Sequence, residues 1–148
     1  MSFIRADAGS GRLVTVDVSG ARELAFRLLH GDPDRWLHVQ AVAARAGELR
    51  PAVAAADGAL LVTAAWLHDI GYAPALRETG FHPLDGARYL ERIGYPREAA
   101  LVAHHSGARF VAEVRGLVEQ LAGFAFVEDA LTDALTYADQ TVGRAGSD

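Results

Sequence analysis

The stretch Gly58–Gly71, GALLVTAAWLHDIG, decides how this chain reads. Leu60, Leu61, Val62, Ala64, Ala65, Trp66 and Leu67 leave no polar stripe for water, and a helix that is apolar all round belongs at the centre of a bundle. Asp57 is placed to cap its start and Gly71 to end it. The segment nevertheless closes on His68 and Asp69. A buried carboxylate is costly unless it is paired or bound to a metal, and this stretch holds no arginine to pair with it.

Working outward, helical periodicity continues on both sides. Ser19 is placed to cap ARELAFRLLHG, which stops at Gly31, and Pro33 suits the first turn of a helix through RWLHVQAVAARAGEL. Leu49 to Ala56 reads as a short helix or turn. YAPALRETGFHP is too rich in proline and glycine for one long helix. Pro83 opens LDGARYLERIG, Pro96 starts REAALVAHHS, residues 108–122 read as one longer helix, and residues 126–139 as the last. The expected architecture is an all-α bundle of about six or seven helices, with its helical core at about 20–141. Residues 1–18 are expected to form an irregular arm, or a short strand or hairpin built on LVTVDV. No linker or repeat interrupts the chain, so residues 1–148 are expected to be a single domain.

Composition narrows the chemistry. The 148 residues contain no cysteine, which excludes thiolate zinc sites and iron–sulfur ligation. A net charge of -5 argues against a nucleic-acid partner. All 14 basic residues are arginine, the side chain best shaped to hold a phosphate through two parallel hydrogen bonds. The longest apolar stretch falls short of the roughly 20 residues of a membrane span. The start, MSFIRADAGS, lacks the apolar region of a signal peptide, so the expected location is the cytoplasm. Alanine-rich helices leave room for a homodimer.

The polar residues set among apolar helices follow one order: His38, then His68 and Asp69, then His82, then His104 and His105, then Asp139. Histidine and carboxylate are hard-to-borderline metal ligands. Asp139 repeats the puzzle of Asp69, since it closes LTYAD near the end of the last core helix. Neighbours on a helix point about 100° apart, so His104 and His105 both reach one centre only if it lies close to the helix; two metals ease that demand. His30 stands apart, before Gly31, where a histidine pairs with terminal carbonyls.

This order resembles the HD-domain superfamily of metal-dependent phosphohydrolases. His38, His68–Asp69 and Asp139 match its signature, and HDIG matches the commonest form of its central motif. His82, His104 and His105 are similar to the extra ligands of its histidine-rich dinuclear members, a variant related to but distinct from the HD-GYP group. The resemblance runs from about residue 20 to 141. It implies one metal held by His38, His68, Asp69 and Asp139, and another held by His82, His104 and His105, with Asp69 bridging. Iron or manganese suits such a thiolate-free, histidine-rich site. The implied reaction is hydrolysis of a small phosphate ester, a nucleotide or related metabolite, by a hydroxide bridging the two ions. Asp69, His82 and Arg109 are the expected catalytic residues. Arg35, Tyr72, Arg77, Arg88 and Arg109 are expected to bind substrate, with Tyr137 a further donor. Asp85 or Glu78 is expected to accept from the far imidazole nitrogens.

The chain also departs from the HD-GYP pattern. HHSG stands where that group has a longer loop, the Gly94–Pro96 GYP precedes the double histidine, and Tyr72 and Ala73 replace the lysine that often follows the central motif. These departures argue against cyclic dinucleotides as substrates. Two other functions fit the same ligands. One is a mixed-valence diiron oxygenase acting on a small polar or phosphonate substrate. The other is a non-catalytic binding or sensor domain that keeps metal for folding.

Overall fold

Three helices of this protein begin where an aspartate meets a first-turn amide. In the computed structural model, which describes residues 16–126 and 129–142, Asp17 accepts a hydrogen bond from the Gly20 amide at 2.6 Å and starts α1 (Val18–Leu29). Ser19, the expected cap, therefore lies inside the helix. Asp32 accepts from the Arg35 amide at 3.2 Å and starts α2 (Pro33–Glu48), with Pro33 in the first turn. Asp57 precedes α3 (Gly58–Leu67) without a side-chain capping bond; its carboxylate lies 3.6 Å from Arg97 instead. Then follow α4 (His82–Arg92), α5 (Pro96–His104), α6 (Ala108–Arg115), α7 (Val118–Leu121) and α8 (Ala130–Thr141).

The bundle is all-α, with no strand among the described residues. The expected arm, strand or hairpin at residues 1–18 falls largely outside them; Val16 is buried and α1 already begins at Val18. Residues 108–122 do not form one helix. Gly116 takes the left-handed conformation (φ 72°), and its amide bonds back to α6, a glycine stop that sequence periodicity passes over. The last helix starts at Ala130 rather than 126 because Asp129 accepts from the Thr132 amide at 3.0 Å. Among the described residues no helix is long and apolar enough to cross a membrane.

α3 sits at the centre, against α1, α2, α5 and α8. It contributes to both hydrophobic clusters, one with Leu84, Leu90 and Val102, the other with Val42, Leu131 and Leu135. Each fully buried side chain of this size contributes about 1.5–3 kcal/mol, so the end of α3 is held by the whole bundle. That end carries His68 and Asp69. Beyond it a 3-10 turn, Ile70–Tyr72, lies against α4. The approach is close: a Cβ on Gly71 would sit 2.0 Å from the His82 carbonyl oxygen and 2.8 Å from the Gly86 nitrogen. Glycine at 71 thus brings the start of α4 beside the end of α3.

Candidate metal centre

Five elements deliver six side chains to one place. α2 supplies His38, the end of α3 supplies His68 and Asp69, α4 starts with His82, the end of α5 leads into His105, and α8 supplies Asp139. His68, Asp69 and His105 are buried.

Asp69 divides the set. Its Oδ2 lies 3.4 Å from His68 Nε2 and 3.8 Å from His38 Nε2, while its Oδ1 lies 3.3 Å from His82 Nε2 and 3.9 Å from His105 Nε2. Asp139 Oδ1 lies 2.8 Å from His38 Nε2 and 3.3 Å from His68 Nε2. Two triads, His38–His68–Asp139 and His68–Asp69–His105, each bring their ligand atoms within 4.8 Å of one another.

The ring orientations have a local cause. His68 Nδ1 donates to the Ala65 carbonyl and His105 Nδ1 to the Val102 carbonyl, each at 2.6 Å and three residues back. Both rings are thereby held with Nε2 toward the centre, and His68 Nε2 is buried without a hydrogen-bond partner. These backbone carbonyls do what was expected of Asp85 or Glu78. Buried Asp85 instead accepts from the amides of Glu78, Thr79 and Gly80 and closes that turn. Glu78 pairs with Arg88 and Arg92.

Asp139 is steadied by a residue that the ligand pattern passes over. Ser106 donates from Oγ to Asp139 Oδ2 at 2.5 Å, and its amide donates to Thr136 Oγ1 at 3.0 Å. Ser106 holds φ at 54°, unusual for a non-glycine residue, as the chain leaves α5. The serine directly after the histidine pair was the available signal.

His104 is not brought to the centre. Its Nε2 donates to the Phe124 carbonyl at 2.8 Å, and its ring packs edge-on against Phe126, 5.1 Å away. The angle between successive helical side chains sends His105 inward and His104 toward residues 124–126. Arg109 is also elsewhere, its guanidinium 4.3 Å from the Phe126 ring. Arg88 is engaged by Glu78, and Tyr137 on α8 is half exposed. His30 donates from Nδ1 to the Phe26 carbonyl at the end of α1.

Arg35 and Tyr72 do reach the centre. Arg35 donates to Asp69 Oδ2 at 2.9 Å, and its guanidinium lies 3.8 Å over the Tyr72 ring. Tyr72 in turn stacks on His82, 4.0 Å away and 18° from parallel. These groups line a cavity of about 960 Å³, within the range that takes small molecules. Arg115, unremarked in the sequence, lines it too. Ala108, Val111 and Arg115 share one face of α6, a spacing that a helical projection exposes.

The electrostatics suit a cation. Burial pulls His68 down, but the Asp69 and Asp139 carboxylates outweigh it and raise its pKa to about 9. Burial, with His68 and His82 nearby, depresses His105 to about 4, so it stays neutral. Burial disfavours the charged forms of Asp69 and Asp139, yet the surrounding imidazoles hold both carboxyls far below the usual range. Tyr72 is raised, by burial and then by Asp69, and remains a phenol able to donate. Ionised carboxylates, a neutral His105 and a His68 Nε2 without a hydrogen-bond partner suit a metal cation once His68 gives up its proton.

A pH dependence follows. Without metal, the raised His68 pKa stabilises the fold fully below the unfolded value of about 6.5, and that contribution disappears as pH rises through about 9. A metal on Nε2 must displace that proton, so affinity should rise up to about tenfold per pH unit between those values and level off above. Manganese titrations in chelator-buffered solution at several pH values measure it. An affinity flat over that window would contradict the assignment of His68.

A family model described as HD domain matches residues 35–137, well over half of the chain. No curated protein and no solved structure gives a significant match.

Proposed function

Because the chain belongs to the HD-domain family, we propose that it is a metal-dependent phosphohydrolase that cleaves a small phosphate ester, a nucleotide or related metabolite. The HD-domain architecture and the paired histidine–aspartate clusters support a catalytic, hydrolytic role. The observation that carries the reading is Asp69, whose two oxygens face two different imidazole pairs. In this reading His38, His68, Asp139 and Asp69 would hold one ion, and His82, His105 and Asp69 would hold the other. Such a pair of ions, when bound, activates a water and neutralises charge on the phosphoryl group.

The side chains around the ligands have their own tasks. Arg35 stands beside Asp69 with a guanidinium that can grip a phosphoryl oxygen. Its face lies on Tyr72, which limits how far it swings. The Tyr72 phenol, kept protonated, donates to a substrate oxygen. Ser106 keeps Asp139 Oδ1 turned toward His38 and His68 by holding Oδ2.

The test is phosphate release from a panel of phosphomonoesters and nucleotides by manganese-loaded protein without oxygen. Release that a chelator stops and manganese restores is expected; no release from any member would contradict the proposal. One observation favours a second reading. His82, His105 and Asp69 Oδ1 form a two-histidine, one-carboxylate set, the ligand count of non-haem iron oxygenases. Oxygen consumption by iron-loaded protein with a phosphonate substrate, and no anaerobic phosphate release, would favour that reading.

A further inference from the structure

Two arginines converge on one glycine at the margin of the cavity. Gly80 has a φ of 80°, in the left-handed region that favours glycine. A Cβ there would lie 3.4 Å from Nη2 of Arg77 and 3.7 Å from Nη2 of Arg115. Both guanidiniums therefore flank the same small volume, and the missing side chain keeps it open. Arg115 comes from the last turn of α6 and lines the large cavity. Arg77 lines an adjoining cavity of about 150 Å³ that shares Tyr72 and His82 with the large one.

The neighbouring charges are committed elsewhere. Asp85 is saturated by the amides of residues 78–80 and the Thr79 hydroxyl. Glu78 serves Arg88 and Arg92. Among the described residues neither Arg77 nor Arg115 has a carboxylate partner, whereas Arg35, Arg45, Arg88, Arg92 and Arg97 each have one. Arg115 has a 3.4 Å hydrogen bond to the Gly80 carbonyl and lies 5.3 Å from the Phe81 ring, neither of which offsets its charge. Both guanidiniums are exposed, so water screens part of their mutual repulsion, and their planar forks suit an oxyanion held between them.

We propose that Arg77 and Arg115, meeting at Gly80, form a second oxyanion site beside the metal centre, which takes a second phosphate or carboxylate group of the substrate. The proposal rests on the hydrolase reading for its link to catalysis, but the site itself does not depend on it. The substrate class becomes a small molecule with two anionic groups, one presented to the metal centre near Arg35 and one held at Gly80. A simple monoester lacks the second handle.

The test measures inorganic phosphate binding to the metal-free 148-residue chain by calorimetry. Wild type should bind one phosphate. Arg77→Ala and Arg115→Ala should each weaken it about tenfold or more, Arg77→Lys less, and the double variant should lose it. Arg35→Ala should leave it nearly unchanged. Acetate titrations, read the same way, tell a carboxylate end from a phosphate end; binding of either that depends on Arg77 and Arg115 supports the site. No binding to wild type, unchanged binding in the double variant, or loss through Arg35→Ala instead would overturn it. Thermal unfolding checks that the variants fold. Since the readout needs neither metal nor turnover, a protein that binds phosphate here but hydrolyses nothing would sink the hydrolase reading alone.

Discussion

Asp69→Asn should yield a folded protein whose turnover falls by about 10³-fold or more and whose metal content drops to one ion or fewer per chain. The amide keeps the shape of the carboxylate but not its symmetry. One of its two ends becomes an NH₂ group, which cannot ligate, so either the His38–His68 side or the His82–His105 side loses its shared oxygen. The charge that holds Arg35 at 2.9 Å disappears with it. Metal analysis and turnover on the same preparation measure both effects. His104→Ala is the contrasting variant: its Nε2 serves the Phe124 carbonyl, so stability should fall by about 1–3 kcal/mol while metal content holds. Two ions retained in Asp69→Asn with near-normal turnover, or metal lost in His104→Ala, would contradict the ligand set.

Gly71→Ala should destabilise the fold by about 3 kcal/mol or more, lowering Tm by roughly 10 °C, and should abolish activity even below the new transition. The added carbon meets backbone atoms, the His82 carbonyl oxygen at 2.0 Å and the Gly86 nitrogen at 2.8 Å, so no side-chain rotation relieves it. α4 must move away from the Ile70–Tyr72 turn, carrying His82 from Asp69. Calorimetric unfolding with and without manganese reads both consequences: a lower Tm, and a smaller rise on adding metal than in wild type. A variant with wild-type Tm and metal response would show that the two elements do not pack as described.

The fold was legible because α3 has no polar face. Leu61, Ala64, Ala65 and Leu67 are fully buried, as only a central helix allows. Proline at the start of α2 and α5 marked helix boundaries well. Asp17 and Asp129 were harder, since a capping aspartate looks like any surface aspartate until its amide partner is in place. At the candidate site, six of the seven ordered residues meet. The seventh, His104, could not be separated from His105 by sequence because the two differ by one helical step, and the end of α5 decides which faces inward. Arginines failed for another reason. Nearness to a ligand in sequence favoured Arg88 and Arg109, but a long side chain goes to its strongest local partner, Glu78 for one and the Phe126 ring for the other. Arg115, ten residues beyond His105, returns to the cavity because α6 folds back over it.

The central claim is that one carboxylate spans two ions. It is tested most directly by a crystal structure of metal-loaded protein with anomalous scattering recorded at the metal edge. Two peaks about 3.5–4 Å apart are expected. Asp69 should lie between them, with His38, His68 and Asp139 around one and His82 and His105 around the other. A single peak held by His38, His68, Asp69 and Asp139, with His82 and His105 unligated, would contradict it.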